Sequence, residues 1–382
     1  MKTTSKRTLE VIIATAMSVS LLPSNLVFAE GTYKSWTEAA ENAVQGVDFT
    51  VEDGINYKVY TAAGLAYTAN IVNNVDTDIN ITIENDIDLS TAGVIGYGSD
   101  VNEENSWIPI GKSGNEYTGT FEGNGNKIYN LYITTSESVY AGLFGYVEDV
   151  GCVNKINIAS GSIINEANDG YAGGIAGKND GMITECTNSS SVSGKYAGGI
   201  VGKTFKSITS GIEEKITYCV NNGNVIGSNA GGIVGYADEQ SIIDNCINNG
   251  QILGAGGDND MVGGIVGNNA GASGYRSIIK NCTNTSNVAN SENYVGGIAG
   301  STAYTDIINC VNSGTIDGAY TAGIVGFHTS DSNIKNCVNS GDVIGSFQVG
   351  IVCVVFPGAN VKNCYYLNGS AGSAVSVNIL EP

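Results

Sequence analysis

The chain has 382 residues, with 37 acidic side chains against 17 basic ones and a formal net charge of −20. That balance repels nucleic acid and anionic lipid, so neither is an expected partner. Glycine accounts for 53 residues and histidine for 1, which argues against a mainly helical fold and against most familiar catalytic sets.

The first elements in chain order are Lys2, Lys6 and Arg7, followed by an apolar run from Val11 to Leu22 that Pro23 breaks. Val27-Phe28-Ala29 then supplies a small-residue cleavage site before Glu30. Residues 1–29 therefore read as a secretory signal peptide, the run being too short for a membrane anchor. The mature chain is expected to be secreted, without a transmembrane segment. Removing residues 1–29 takes away Lys2, Lys6, Arg7 and Glu10 and leaves a net charge of −22.

Residues 30–75 read as an N-terminal cap. Ser35 followed by an Ala-rich stretch predicts a helix over 35–45, and 61–73 predicts a second. Residues 76–139 alternate with period two at Ile79–Ile83 and Lys127–Ile133, as irregular coils of a stacked fold would. From 140 to 368 one phrase recurs: YAGLFG at 140–145, YAGGIAG at 171–177, YAGGIVG at 196–202, AGGIVG at 230–235, VGGIVG at 262–267, VGGIAG at 295–300 and TAGIVG at 321–326. A second phrase follows most copies, as in Ile243-Asp244-Asn245-Cys246-Ile247-Asn248. Residues 369–382 read as a tail or truncated cap, and the end at Leu380-Glu381-Pro382 fits a fragment or a short terminal cover.

Seven cysteines keep register: Cys186, Cys219, Cys246, Cys282, Cys310, Cys337 and Cys364. Their spacings are 33, 27, 36, 28, 27 and 27, so the unit is 27 residues with insertions. A period in this range signals stacked repeats. Short β-branched runs bounded by Gly and Asn predict three strands per unit. In 230–256 these are Gly232–Tyr236, Ser241–Ile247 and Gln251–Leu253, with corners at Gly231, Asn249 and Gly250 where positive φ is tolerated. The fold class is all-β, a right-handed parallel β-helix of roughly ten coils behind a short helical cap.

In that fold the seven cysteines form a buried ladder. Parallel neighbours lie ~4.8 Å apart, farther than the ~3.8 Å that a disulfide wants between Cβ atoms, so free thiols are expected. Asn188, Asn221, Asn248, Asn284, Asn312 and Asn339 form a second ladder, able to satisfy itself amide to amide. Tyr140, Tyr171, Tyr196 and Tyr294 precede the repeat phrase in equivalent places and are the candidate binding residues. The plain alternative is an outward aromatic ladder that only stabilises the sheet. Asp86 with Asp88, and Asp258 with Asp260, are i, i+2 pairs that on a strand would share a side. The second pair is the candidate for calcium, against solvated turn residues as the alternative; no other cofactor is expected. His328 reads as a solvated side chain, and no C-x-x-C or zinc-binding set accompanies it.

The repeated glycine phrase resembles the GLUG motif of bacterial extracellular proteins. Asn85–Ser90, Trp107–Gly111 and Tyr117–Gly125 resemble the run that commonly precedes such repeats, so the likeness extends from about residue 58 to 368. Similar regions occur in cell-surface proteins, adhesins and the non-catalytic parts of immunoglobulin A metallopeptidases. The H-E-x-x-H zinc motif of those peptidases is absent here. The resemblance implies a non-catalytic, monomeric extracellular repeat protein that binds a host or matrix glycan or protein, either secreted or associated with the cell surface. The alternatives are a β-helix carbohydrate-active enzyme working through carboxylates, and a structural stalk.

Overall fold

The computed structural model describes residues 33–97, 101–205, 215–257, 259–329, 331–356, 358–367 and 373–375. The signal peptide reading, Asp258 and most of the C-terminal tail lie outside these residues.

Short strands wind into a parallel β-solenoid of about 8 turns. The first face carries strands such as Ile242–Asp244, the second Ile247–Asn248, and the third Ile252–Gly254 followed by two arms, Met261–Gly263 and Val266–Ala270. Each strand pairs in parallel with its copy in the next coil, so Ile216, Ile243 and Ile279 stack in register. Ile233, Ile243, Cys246 and Ile252 point inward and are fully buried. The coil count is below the expected ten because the earliest rungs are incomplete. The first face already begins at Asn56–Val59, whereas the third begins only at Leu131–Thr135.

The cap has two helices, Trp36–Glu41 and Ala62–Asn74. Ser35 Oγ accepts the Glu38 N–H at 3.2 Å, and Thr61 Oγ1 accepts the Gly64 N–H at 3.3 Å, each satisfying a free N-terminal donor. Between the helices an antiparallel hairpin, Phe49–Glu52 with Asn56–Val59, joins the first face; the sequence reading had no strand there.

The corners differ from expectation. The left-handed residue stands just before each ladder cysteine: Asn245, Asn281, Asn309, Asn336 and Asn363, with Glu185 and Tyr218 in the two earliest copies. This corner divides the expected strand Ser241–Ile247 into Ile242–Asp244 and Ile247–Asn248. Gly231, Asn249 and Gly250 have negative φ. The glycines are needed for space instead. A Cβ on Gly232 would lie 2.2 Å from Gly264 O and 2.3 Å from Asn248 Cγ, both far inside contact distance. The second glycine of the GGI phrase therefore lies against the asparagine of the I-x-N-C-x-N phrase, which is why the two phrases travel together.

That asparagine column is buried and bonded throughout. The Nδ2 of Asn188, Asn221, Asn248, Asn284 and Asn312 donates to the Oδ1 of the next member at 3.1, 2.9, 2.8, 2.8 and 2.7 Å. Each amide also closes a local turn, as where Asn248 Nδ2 donates to Gly250 O at 2.9 Å. Beside it runs the cysteine column, buried from Cys186 to Cys337, while Cys364 in the last rung is only partly covered. All nine cysteines are unpaired. Cys246 Sγ lies 3.5 Å from both Asp244 O and Ile216 O, a weak thiol hydrogen-bond geometry. Burial pushes the Cys219, Cys246, Cys282 and Cys310 thiols well above their ordinary range, so they are poor nucleophiles.

Candidate functional site

The third face folds back on itself. Its later arm presses on the earlier arm of the preceding coil, and a Cβ on Gly202 would lie 2.6 Å from Ala172 N. Two side-chain columns therefore meet in a re-entrant corner. The earlier arm carries, in register, Tyr140, Tyr171, Tyr196, Asn229, Met261, Tyr294, Tyr320 and Phe347. The later arm carries Tyr146, Lys178, Lys203, Tyr236, Asn268, Ser301, Phe327 and Val354.

The four expected tyrosines share one column, but Asn229 and Met261 interrupt it. Tyr140, Tyr171 and Tyr196 form one stack, with ring centroids 5.8 and 4.8 Å apart. Tyr294 belongs to a second patch with Tyr320 at 5.2 Å and Phe327 at 4.8 Å. Phe347 extends that patch, stacked on Tyr320 at 5.2 Å and 57% exposed. Tyr320 stands immediately before TAGIVG, as Tyr294 stands before VGGIAG, and Phe347 keeps the same offset before Gly350, so alignment of the repeat phrase would have found both.

The rings are half-buried because the second column leans on them. Lys203 Nζ lies 5.3 Å from the Tyr171 ring and 5.2 Å from the Tyr236 ring, and Lys178 Nζ lies 3.8 Å from the Tyr146 ring. Burial, reinforced by the neighbouring phenols, pushes the Tyr171 hydroxyl up to about 12, so it remains a neutral donor. Behind Tyr140 sits a buried polar knot. Tyr146 Oη donates to Asp180 Oδ2 at 2.5 Å, and Lys178 Nζ donates to Tyr146 Oη at 2.6 Å, 3.5 Å from the carboxylate. Burial raises Asp180 to about 7 despite these two partners, which pull it down.

The tyrosine stack runs at its N-terminal end into a cleft of about 680 Å³. Trp107, Ile108, Pro109 and Tyr140 give it apolar walls, and Glu103, Glu137 and Lys112 give it charge. Trp107 is fixed in place, its Nε1 donating to Leu143 O at 3.2 Å. The Glu103 carboxylate accepts from the Ser136 N–H and hydroxyl, which hold it below the ordinary range. Cleft and column together make a ridge of rings leading into a polar hollow of ligand size.

Asp86 and Asp88 are engaged elsewhere. Asp88 Oδ1 accepts from the Ser90 N–H and from Asn130 Nδ2, and Asp86 Oδ1 accepts the Lys127 N–H, so both brace backbone. Asp260 lies in a loop, and its expected partner Asp258 lies outside the described residues. Among the described residues no group of three or more His, Cys, Asp or Glu could hold a metal. His328 is buried, not solvated: its Nδ1 is 2.8 Å from Thr302 Oγ1, and burial lowers it to about 4.

Among the described residues no helix is long and apolar enough to cross a membrane. The family model of the GLUG motif matches residues 258–289 and 291–317. A protein from Evansella cellulosilytica described as a candidate Gly-rich membrane protein is 30% identical over 151 residues, or 40% of this chain; the match spans 16% of that protein's length. In fold, the chain is similar to the crystal structure of a candidate immunoglobulin A1 protease from Bacteroides ovatus. The TM-score is 0.54 at 20% identity, over 82% of this chain and 85% of the other. What this sequence encodes is a parallel β-solenoid carrying the GLUG motif.

Proposed function

We propose that this is a non-catalytic, extracellular repeat protein that binds a glycan along the third face. The carrying observation is the stack of Tyr140, Tyr171 and Tyr196 that leads into the Trp107–Tyr140 cleft. Ring edges and phenol hydroxyls at coil spacing offer repeated contacts to a sugar chain, while Glu103, Glu137 and Lys112 offer hydroxyl partners. Several weak contacts along a rod sum by avidity, so no single deep pocket is required. A surface or secreted setting is supported by the basic-then-apolar N-terminal segment Lys2–Ala29.

The test is binding of the chain from Glu30 onward to a panel of soluble and insoluble polysaccharides, beside Tyr140→Ala and the Tyr171→Ala/Tyr196→Ala pair. Both variants should lose at least tenfold in affinity while keeping the β-sheet circular dichroism signal. Equal binding by all three proteins would refute the site. Cleavage of a polysaccharide, lost on Glu103→Gln or Glu137→Gln, would convert the cleft to a catalytic one and end the non-catalytic reading.

A further inference from the structure

One corner of the third face holds buried oxygens that no described residue satisfies. A loop joins strand Ile252–Gly254 to strand Met261–Gly263 and ends at Asp260. Asp260 is 1% exposed. Its Oδ2 accepts the N–H groups of Gly256 at 2.9 Å and Gly257 at 3.1 Å, which fixes the carboxylate. Its Oδ1 is buried and has no hydrogen-bond partner. Among the described residues no lysine or arginine pairs with it. Asn290, 4% exposed, leaves both its Oδ1 and its Nδ2 unpartnered.

The repeat brings these two side chains together. In the coil that begins at Gly161, Asn165 stands at the end of its strand and Gly170 immediately precedes Tyr171. A Cβ on Gly170 would lie 2.3 Å from Asn165 Oδ1, so the two positions face each other at close range. Gly254 holds the register position of Asn165, and Asp260 holds that of Gly170. With no side chain on Gly254, the space above it is entered by Asn290 of the next coil, whose Cγ lies 2.5 Å from where a Gly254 Cβ would be. The Asp260 carboxylate and the Asn290 amide thus converge on one corner. Asn293 Nδ2 closes it from the next coil by donating to Gly257 O at 2.7 Å.

A carboxylate oxygen taken out of water without a bond is costly, and a buried amide with no bond adds to that cost. A bound cation would satisfy the two oxygens, Asp260 Oδ1 and Asn290 Oδ1, at once. We propose that this corner binds a hard divalent cation of the calcium class, with Asp260 Oδ1 and Asn290 Oδ1 as its side-chain ligands. The donors are all oxygen, which disfavours zinc and copper. Calcium accepts roughly six to eight oxygens in flexible geometry, so backbone carbonyls and water complete the shell; magnesium gives up its water reluctantly and suits a buried corner less well. The ion would tie the Gly254–Met261 loop to the next coil, in the stretch where Asn229 and Met261 interrupt the tyrosine column. This inference is independent of glycan binding.

The experiment is calcium titration of the chelator-treated chain from Glu30 onward by calorimetry, with thermal unfolding followed at each calcium concentration. One calcium should bind per chain, with Kd between about 0.1 mM and about 1 mM, the weaker range typical of extracellular sites, and Tm should rise with calcium. Magnesium at equal concentration should bind at least tenfold more weakly. Asp260→Asn should weaken calcium binding at least tenfold, and its Tm should cease to depend on calcium. Asn290→Asp separates ligation from folding: the added carboxylate should lower Tm in chelator and tighten calcium binding. Three results would overturn the proposal: no calcium uptake by the unaltered chain at 10-fold the upper Kd; uptake that Asp260→Asn leaves unchanged; or Asn290→Asp lowering Tm equally with and without calcium.

Discussion

Replacing Asn248 by Ala tests the ladder at its centre. The side chain takes part in four hydrogen bonds. Its Oδ1 accepts from Asn221 Nδ2 at 2.9 Å and from the Gly250 N–H at 3.2 Å, and its Nδ2 donates to Asn284 Oδ1 at 2.8 Å and to Gly250 O at 2.9 Å. Asn221 and Asn284 keep their own turn contacts, to Gly223 O and the Ser286 N–H, so each loses only part of its bonding. Gly250 loses both side-chain contacts inside the wall. Leaving a buried polar group unmade costs about 1–3 kcal/mol, so two orphaned groups and two weakened ones amount to about 3–6 kcal/mol. The cavity is that of a small side chain and adds little. Repeat stacks unfold by neighbour coupling, not always all at once. The assay is therefore urea unfolding by circular dichroism together with amide hydrogen exchange. The midpoint should fall, and amides of the coils around Asn221, Asn248 and Asn284 should lose protection first. Asn339→Ala, at the last ladder member, should cost less because it breaks one inter-coil amide bond rather than two. A loss below about 1 kcal/mol for Asn248→Ala, or an equal loss for both variants, would refute the view that the column works as a continuous amide chain.

Tyr218 holds φ 55° at a corner where later coils use Asn, and it is 59% exposed. Tyr218→Asn should therefore raise stability by about 1 kcal/mol in urea unfolding, since the left-handed region costs an ordinary residue about that much; a loss would show that the ring makes packing contacts that matter. His328 is held neutral with a folded pKa of about 4 against 6.5 unfolded, so its contribution is full above pH 6.5 and falls as pH drops toward 4. Asp180 runs the other way: raised to about 7, it stabilises fully below pH 3.8 and loses that contribution as pH rises to about 7. Between about pH 4 and 6.5 the two slopes, each about 1.4 kcal/mol per pH unit, should nearly cancel. His328→Asn should expose a stability that falls with rising pH, and Asp180→Asn one that rises; parallel profiles for the two variants would contradict both assignments.

The sequence alone determined the architecture. A 27-residue frame set by seven cysteines, with glycine phrases and asparagines in lockstep, admits stacking and little else, because no single coil can bury its own Ile and Val. The helix starts at Ser35 and Thr61 were legible because capping is local chemistry. What the sequence left undecided depends on contacts between residues about one coil apart. Positive φ fell on Asn245 and its equivalents instead of Gly231, because glycine was spent on backbone approach that only the stacked coil reveals. The row itself was legible, since Asn229, Met261, Tyr320 and Phe347 all stand directly before their copies of the phrase, but its division into one stack of Tyr140, Tyr171 and Tyr196 and a second patch joined by Phe327 of the later arm is made by packing. His328 turned inward because its place in strand Val325–His328 is a wall position, whatever its polarity. The cleft at Tyr140 brings Trp107 and Glu103 to the column from an earlier segment of the chain, an encounter that periodicity cannot encode and that only tertiary packing makes.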